Sequence, residues 1–109
     1  MKTEQPLLIT SITATAAIVK NLFIGFDGAL CAAGAKSLGV VNDDTLINEQ
    51  CPVMTNGIAL VLSGAAVTLG DAVESDAAGK AITNVAGAIN GYALDAASAA
   101  NEIIRVRLK

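Results

Sequence analysis

The sequence has no histidine and no tryptophan, and its aromatic side chains are two phenylalanines and one tyrosine. Without histidine, neither a Ser-His-Asp triad nor a Cys-His pair can form, so the common kinds of nucleophilic catalysis are excluded. The two cysteines, Cys31 and Cys51, are too few and too far apart for a zinc site, which needs four ligands in close pairs. We expect both thiols to be buried and reduced, and we predict no catalytic residue, no metal and no cofactor.

Positive charge is also scarce, because seven Lys and Arg residues stand against ten Asp and Glu residues and the net charge is −3. This balance disfavours nucleic acid as a partner. A long hydrophobic run is missing too: residues 7–19, "LLITSITATAAIV", are fewer than the roughly 18 needed to span a bilayer. Glu4 and Pro6 lie where an export signal would carry positive charge. We therefore expect a soluble protein that is not exported and has no membrane partner.

Glycine, in contrast, is frequent, and ten glycines recur at short intervals from Gly25 onward. The intervals leave room for strands of about five to seven residues and little room for helices. The sequence therefore predicts an all-β fold, a small antiparallel barrel or sandwich with short strands and tight glycine turns. The residues predicted to form structural turns are Asp27, Gly28, Gly39, Gly57, Gly70, Asp71, Gly79 and Gly91.

The N-terminal residues "MKTEQP" are polar and end in proline, which predicts an extended arm over residues 1–10. Residues 11–109 then form a single β domain. Its core consists of small aliphatic side chains, which each bury less apolar area than an aromatic ring would. We expect such a domain to gain stability by association with copies of itself or with a partner.

The C-terminal segment "EIIRVRLK" alternates between apolar and charged residues. Ile104, Val106 and Leu108 share one face, and the basic residues share the other, which is typical of a strand with one buried face. Arg105, Arg107 and Lys109 form a basic stripe on that second face. The stripe either blocks unwanted pairing as a solvated strand edge or contacts an acidic partner surface.

Part of the chain is repeated. The order Gly39-Val40-Val41, Asp43, Glu49, Val53 recurs as Gly91-Tyr92-Ala93, Asp95, Glu102, Val106. Each copy is predicted to be the end of a strand, a polar turn and the start of a second strand. The Ala-rich segment after Gly91 would be helical by propensity alone, but two copies of a β-turn-β unit favour an all-β fold.

Two segments resemble ligand-binding loops. "DGALCAAGAKSLGVV" has glycines before Lys36 and Ser37, but a phosphate-binding loop needs glycine directly before the lysine and a helix after it. Ala35 separates Gly34 from Lys36, and Gly39 with β-branched residues follows, so nucleotide binding is disfavoured. The acidic segment "NDDTLINE", residues 42–49, lacks the glycine at the sixth position of a calcium loop. We interpret both as structural.

Several motifs resemble those of the capsid cement, or decoration, proteins of tailed bacteriophages. They are "FIGFDG", "AKSLGVV", "GIALVLSG", "GDAVESDAAGKAI" and the closing "GYALDAASAANEIIRV", and together they cover about residues 20–108. The second and last of these stand nearest the family pattern where the chain turns. Where the family often has glycine before the glutamate, this chain has Asn48 and Asn101, and asparagine tolerates the left-handed conformation well.

The resemblance implies a small all-β virion protein that binds the outer surface of the assembled capsid and bridges neighbouring major capsid proteins. It implies self-association as a homotrimer, or alternatively a dimer, and no catalytic site; synthesis would take place in the host bacterial cytoplasm. The alternative is a small carrier-like or receptor-binding β-barrel, because Gly64–Val73 fits a pattern found in carrier barrels. A carrier would need an exposed lysine at a hairpin tip, and Lys80 lacks the methionine that usually flanks it.

Overall fold

The computed structural model describes residues 2–109, which form eight β-strands and no helix. None of these residues therefore belongs to a helix that could cross a membrane. The all-β prediction is confirmed, and the Ala-rich segment after Gly91 forms a strand, a turn and another strand. The strands are β1 (Gln5–Thr13), β2 (Phe23–Ile24), β3 (Gly39–Val41), β4 (Gln50–Leu62), β5 (Ala72–Ser75), β6 (Ala81–Thr83), β7 (Gly91–Ala93) and β8 (Ile103–Leu108).

The strands form one antiparallel sheet in the order β2-β3-β4-β8-β7-β5-β6, and β1 pairs with β4 beside this path. Single hydrogen bonds bring the two ends of the sheet together. The Phe23 N–H donates to the Gly79 carbonyl at 2.7 Å, and the Gly64 N–H donates to the Ala81 carbonyl at 2.8 Å. The sheet is therefore nearly closed into a barrel.

The long strand β4 makes two equivalent ladders. Its first half pairs with β1, from Thr13 opposite Gln50 to Ile9 opposite Met54. Its second half pairs with β8, from Leu62 opposite Ile103 to Ile58 opposite Arg107. The registers correspond residue for residue, so β1 is to the first half of β4 what the second half of β4 is to β8.

The correspondence extends to the rest of the chain. Phe23 opposite Val40 in β2–β3 matches Ala72 opposite Tyr92 in β5–β7. The isolated bridge between Ile18 and Thr45 matches the one between Val67 and Ala97. The molecule is thus two copies of one β unit, and the repeat seen in the sequence is the C-terminal part of each copy. We call them the first repeat (residues 5–54) and the second repeat (residues 58–108).

Each repeat buries its own set of side chains. One hydrophobic cluster lies in the first repeat, and its six buried members each have a buried counterpart in the second repeat. The first set is Ala14, Ile18, Ile24, Val41, Cys51 and Val53, and the matching set is Ser63, Val67, Val73, Ala93, Ile104 and Val106. Phe23 and Met54 of the first repeat pack in the larger cluster with the second set, which joins the repeats into one domain.

The predicted N-terminal arm differs from the structure, because residues 5–10 belong to β1 and pair with β4 over its first half. β1 and β8 lie end to end along the same edge of β4, and Ile58 faces both Gln5 and Arg107. A cavity of about 380 Å³ lies where the two strands meet. β8 and β1 thus form one interrupted strand that is the counterpart of β4.

Candidate interaction surfaces

The predicted turn residues fall into two groups, and the first group lies in turns. Gly28, Gly70 and Gly79 have φ values of 83°, 85° and 78°, in the left-handed region that glycine adopts without strain. The Asp27 carboxylate accepts a hydrogen bond from the Ala29 N–H at 3.1 Å, and the Asp71 carboxylate accepts one from the Thr68 N–H at 3.2 Å. These side chains bond to nearby backbone, as aspartate does in turns.

The second group lies in strands instead. Gly39 begins β3 and Gly91 begins β7, and a Cβ on either would collide with a carbonyl oxygen of the adjacent strand, that of Met54 or that of Arg107. Gly57 lies in the middle of β4 with φ of 113°, at the irregular pairing with β1. These glycines allow close approach of backbones, which requires a small residue just as a turn does.

The basic stripe on β8 is divided by an ion pair. Nε and Nη2 of Arg105 donate to the two carboxylate oxygens of Asp95 at 3.0 and 3.1 Å, and the Arg105 N–H also donates to Asp95. These hydrogen bonds hold the pKa of the Asp95 carboxyl below its usual range. Arg107 and Lys109 are exposed, and among residues 2–109 neither forms an ion pair. The charge offered to a partner is therefore that of Arg107 and Lys109.

β1 has an open edge and carries no charged side chain. Leu7, Leu8 and Ile9 are 84%, 54% and 42% exposed. Within residues 2–109, only β4 pairs with β1, so its outer edge is unpaired. An uncharged open edge with exposed aliphatic side chains is a surface that other strands can join. Sequence reasoning missed this edge because it interpreted residues 1–10 as a polar arm.

A second apolar surface lies on the loops of the first repeat. Val19, Leu46 and Ile47 are each more than half exposed, and Val19 and Leu46 line a cavity of about 310 Å³. We call these three residues the apolar loop cluster. At the corresponding place in the second repeat the chain has Thr68, Ser98 and small alanines. Because both repeats fold alike, folding does not require these aliphatic side chains.

The segments that resembled ligand loops have structural contacts. Lys36 donates to the carbonyls of Ile89 and Lys109 at 3.3 and 3.4 Å, and its partial burial lowers the pKa of its ammonium. In the segment 42–49, Glu49 accepts a hydrogen bond from the Leu46 N–H at 2.9 Å. No group of three Cys, Asp or Glu residues in residues 2–109 is placed to hold a metal ion.

The remaining candidates from the sequence are also engaged. Cys31 and Cys51 are free thiols and both are buried, and burial raises the pKa of Cys31. Lys80, considered for a carrier, is only partly exposed and donates to the Asn101 side-chain oxygen at 2.6 Å. Neither arrangement presents a reactive group at the surface.

Sequence reasoning also missed a buried carboxylate. Glu74 of β5 is 8% exposed, and it accepts hydrogen bonds from the N–H groups of Val85 at 2.7 Å and Gly87 at 3.3 Å. These bonds lower the pKa of the Glu74 carboxyl although its burial acts in the opposite direction. The contacts hold the loop after β6 in place, which is a structural role.

Comparison with known proteins gives one family and one fold. The family model described as phage cement protein matches residues 1–108. The crystal structure of the head fiber gp8.5 N base in bacteriophage phi29 is similar, with a TM-score of 0.75 and 16% sequence identity. The similarity covers 94% of this chain and 95% of that chain. No curated protein sequence gives a significant match.

Proposed function

Because the chain belongs to the phage cement protein family, we propose that it binds the outer surface of the assembled capsid and bridges neighbouring major capsid proteins. It is a structural, capsid-associated protein of the virion. The observation that carries the proposal is the family match over residues 1–108. A protein that binds the assembled shell but not its free subunits stabilises the shell by mass action. The role needs no catalysis, and the chain would be added to the shell after its synthesis in the bacterial cytoplasm.

The apolar loop cluster is the proposed capsid contact. Val19, Leu46 and Ile47 are exposed in the first repeat and are replaced by polar or small residues in the second. A feature that one repeat has and its structural twin lacks is not needed for the shared fold. Burial of the cluster against the capsid would remove apolar area from water, which is favourable.

The basic stripe is proposed to contribute charge to the same association. Arg107 and Lys109 remain available after Arg105 pairs with Asp95. Charges at the rim of an interface mainly change the rate of association and its salt dependence. We therefore assign Arg107 and Lys109 to attraction of an acidic capsid surface and Arg105 to the stability of β8.

Self-association is also part of the proposal. A homotrimer agrees with the family resemblance, and a homodimer is the alternative. The core of small aliphatic side chains and the exposed aliphatic residues of β1 both favour association over an isolated monomer.

The test is to mix the purified chain with capsids that lack it and to measure co-sedimentation and the temperature at which the capsids rupture. We expect binding and a higher rupture temperature. The double variant Leu46→Ser, Ile47→Ala makes the loop resemble the second repeat, and it should weaken binding at least about 10-fold while the fold is kept. Unchanged binding by this variant would remove the apolar loop cluster from the contact, and no binding by the unmodified chain would refute the proposed function.

The charge contribution has a separate control. The double variant Arg107→Glu, Lys109→Glu should slow association and reduce its dependence on salt. Lys20→Glu with Lys2→Glu makes the same change in net charge away from the C-terminal end of the stripe. Equal effects of the two double variants would show that only net charge matters and would contradict the assignment of the stripe.

A further inference from the structure

The open edge of β1 can be compared with its counterpart, the second half of β4. Each residue from Ile9 to Thr13 corresponds to one from Ile58 to Leu62, because the two ladders have the same register. Every position of β1 is more exposed than its counterpart: Thr10 is exposed where Ala59 is buried, and Ile12 is partly exposed where Val61 is buried. β1 therefore lacks a cover that the same strand has in the second repeat.

The backbone identifies what is missing. In the second repeat the Leu62 N–H points away from β8 and donates to the Asn21 carbonyl at 2.9 Å. In the first repeat the Ala14 N–H donates to Glu49, and backbone groups alternate in direction along a strand. The N–H and C=O groups of Ile9 and Ser11 therefore point away from β4, toward the edge that no strand of residues 2–109 pairs with.

The length of the usable edge is limited on both sides. Irregular pairing separates Pro6 from Leu8 and Leu8 from Ile9. At the other end, Gly28 lies against the Thr13 carbonyl, so closely that a Cβ there would collide with it. The regular, accessible part of the edge is thus the segment from Ile9 to Ser11, and Thr10 is its centre.

We infer that β1 pairs with β1 of a second copy of this chain, antiparallel and about a two-fold axis at Thr10. Ile9 then lies opposite Ser11 of the other copy, and the outward backbone groups of both residues are hydrogen-bonded. The contact is isologous, since the same surface serves both copies. It generates a dimer, and the two sheets become one continuous sheet.

Charge favours a second copy as the occupant. Residues 5–19 contain no charged side chain, although the whole chain has a net charge of −3. Two copies can therefore bring this strand together without placing like charges opposite each other, which would be destabilising. The surrounding aliphatic side chains of Leu7 and Leu8 lose exposed apolar area when the edges join.

The test uses single cysteines, because Cys31 and Cys51 are buried. In the inferred pairing the two Thr10 residues are directly opposite in a non-hydrogen-bonded pair, about 4.5 Å apart between Cα atoms, which suits a disulfide. The two Ser11 residues are diagonal neighbours at roughly 7–8 Å, which is too far. Thr10→Cys should thus form a disulfide-linked dimer under mild oxidation at least about 10-fold faster than Ser11→Cys, as measured by non-reducing electrophoresis and mass spectrometry of the linked peptide.

A second measurement does not depend on cysteine. Sedimentation of the unmodified chain should give a dimer, and Ser11→Lys should weaken it at least about 10-fold because lysine on an edge opposes pairing. Ala78→Lys, an exposed turn position, should leave the dimer unchanged. A monomer or a trimer for the unmodified chain, or faster linkage of Ser11→Cys than of Thr10→Cys, would overturn the inference. These experiments use no capsids, so their failure and that of the proposed capsid binding are distinguishable.

Discussion

At the scale of single residues, Gly39 and Gly91 are equivalent positions of the two repeats. Each begins a strand, and each has a carbonyl oxygen of the neighbouring strand where a Cβ would lie. Substitution by alanine therefore forces two backbones apart rather than merely restricting φ. Overpacking of this kind typically costs about 1–3 kcal/mol.

We predict that Gly39→Ala and Gly91→Ala each lower the free energy of unfolding by about 1–3 kcal/mol, measured by denaturant unfolding. Gly25→Ala is the matched control, because the nearest atom to its added Cβ is the mobile carboxylate of Asp27 at 3.0 Å. The control should cost much less. A cost equal to that of the two strand glycines would show that loss of glycine, and not close backbone approach, determines stability.

The buried carboxylate of Glu74 gives a prediction about pH. Hydrogen bonds from Val85 and Gly87 lower its pKa in the folded chain, so the ionised form stabilises the fold above the ordinary glutamate pKa of about 4.3. This stabilisation is lost as the pH falls below that value. Glu74→Gln should therefore lower Tm at pH 7 and lower it less at pH 3, while Glu4→Gln at the exposed N-terminal end should have little effect at either pH. A gap between wild type and Glu74→Gln that is constant with pH would contradict this role.

Single residues also show where sequence reasoning stops. The alternation in "EIIRVRLK" predicted the buried face of β8, because side chains in a strand alternate between faces and Ile104 and Val106 follow that rule. Glycine carries less information, since a turn and a close approach of backbones both require the absence of a Cβ. Gly39 and Gly70 therefore look alike in the sequence, although one lies in a strand and the other in a turn.

At the scale of elements, the repeat predicts equal behaviour of its two turns. Asn48 and Asn101 precede the equivalent glutamates, and their φ values are 70° and 66°. A residue with a Cβ costs about 1–2 kcal/mol in this conformation, and glycine does not. We predict that Asn48→Ala and Asn101→Ala destabilise the fold by about 1 kcal/mol each, and that the glycine variants are neutral or stabilising. Unequal costs at the two sites would contradict the equivalence of the turns.

The sequence showed only part of this repeat, for a physical reason. The units that contain Asn48 and Asn101 keep the same turn chemistry, so glycine, aspartate, glutamate and valine recur at matching places. β1 and the second half of β4 need only apolar residues at alternate positions, such as Ile12 and Val61, and many sequences satisfy that need. The pairing of β1 with β4 is also distant along the chain, so the polar start of the sequence resembled a free arm.

At the scale of the whole molecule, the two repeats are alike inside and different outside. Each buries a matching set of side chains, whereas Val19, Leu46 and Ile47 are exposed aliphatic residues in the first repeat only. The shared interior follows from the shared fold. The unequal exterior and the open edge of β1 have no counterpart in the second repeat, which is why the proposed partners are assigned to the first repeat.

The repeat also predicts where the chain can be cut. The native ends meet beside Ile58, where β8 stops and β1 begins. The equivalent place within the uninterrupted strand β4 is the link between Asn56 and Gly57, at which the pairing with β1 is irregular. A break there reproduces, in the second half of the interrupted pair, an arrangement that the native chain already tolerates.

We therefore predict that a circular permutant that starts at Gly57, ends at Asn56 and has its native ends joined by a short Gly-Ser linker folds to the same all-β structure. Its Tm should lie within about 8 °C of the native value, which corresponds to roughly 1–2 kcal/mol for a domain of this size. The control permutant is cut between Leu60 and Val61, inside the ladder with β8, and should be much less stable because the cut divides residues buried in the core. Circular dichroism and thermal unfolding of both permutants measure the difference. If the two are equally stable, or if only the control folds, β8 and β1 do not act as one interrupted counterpart of β4.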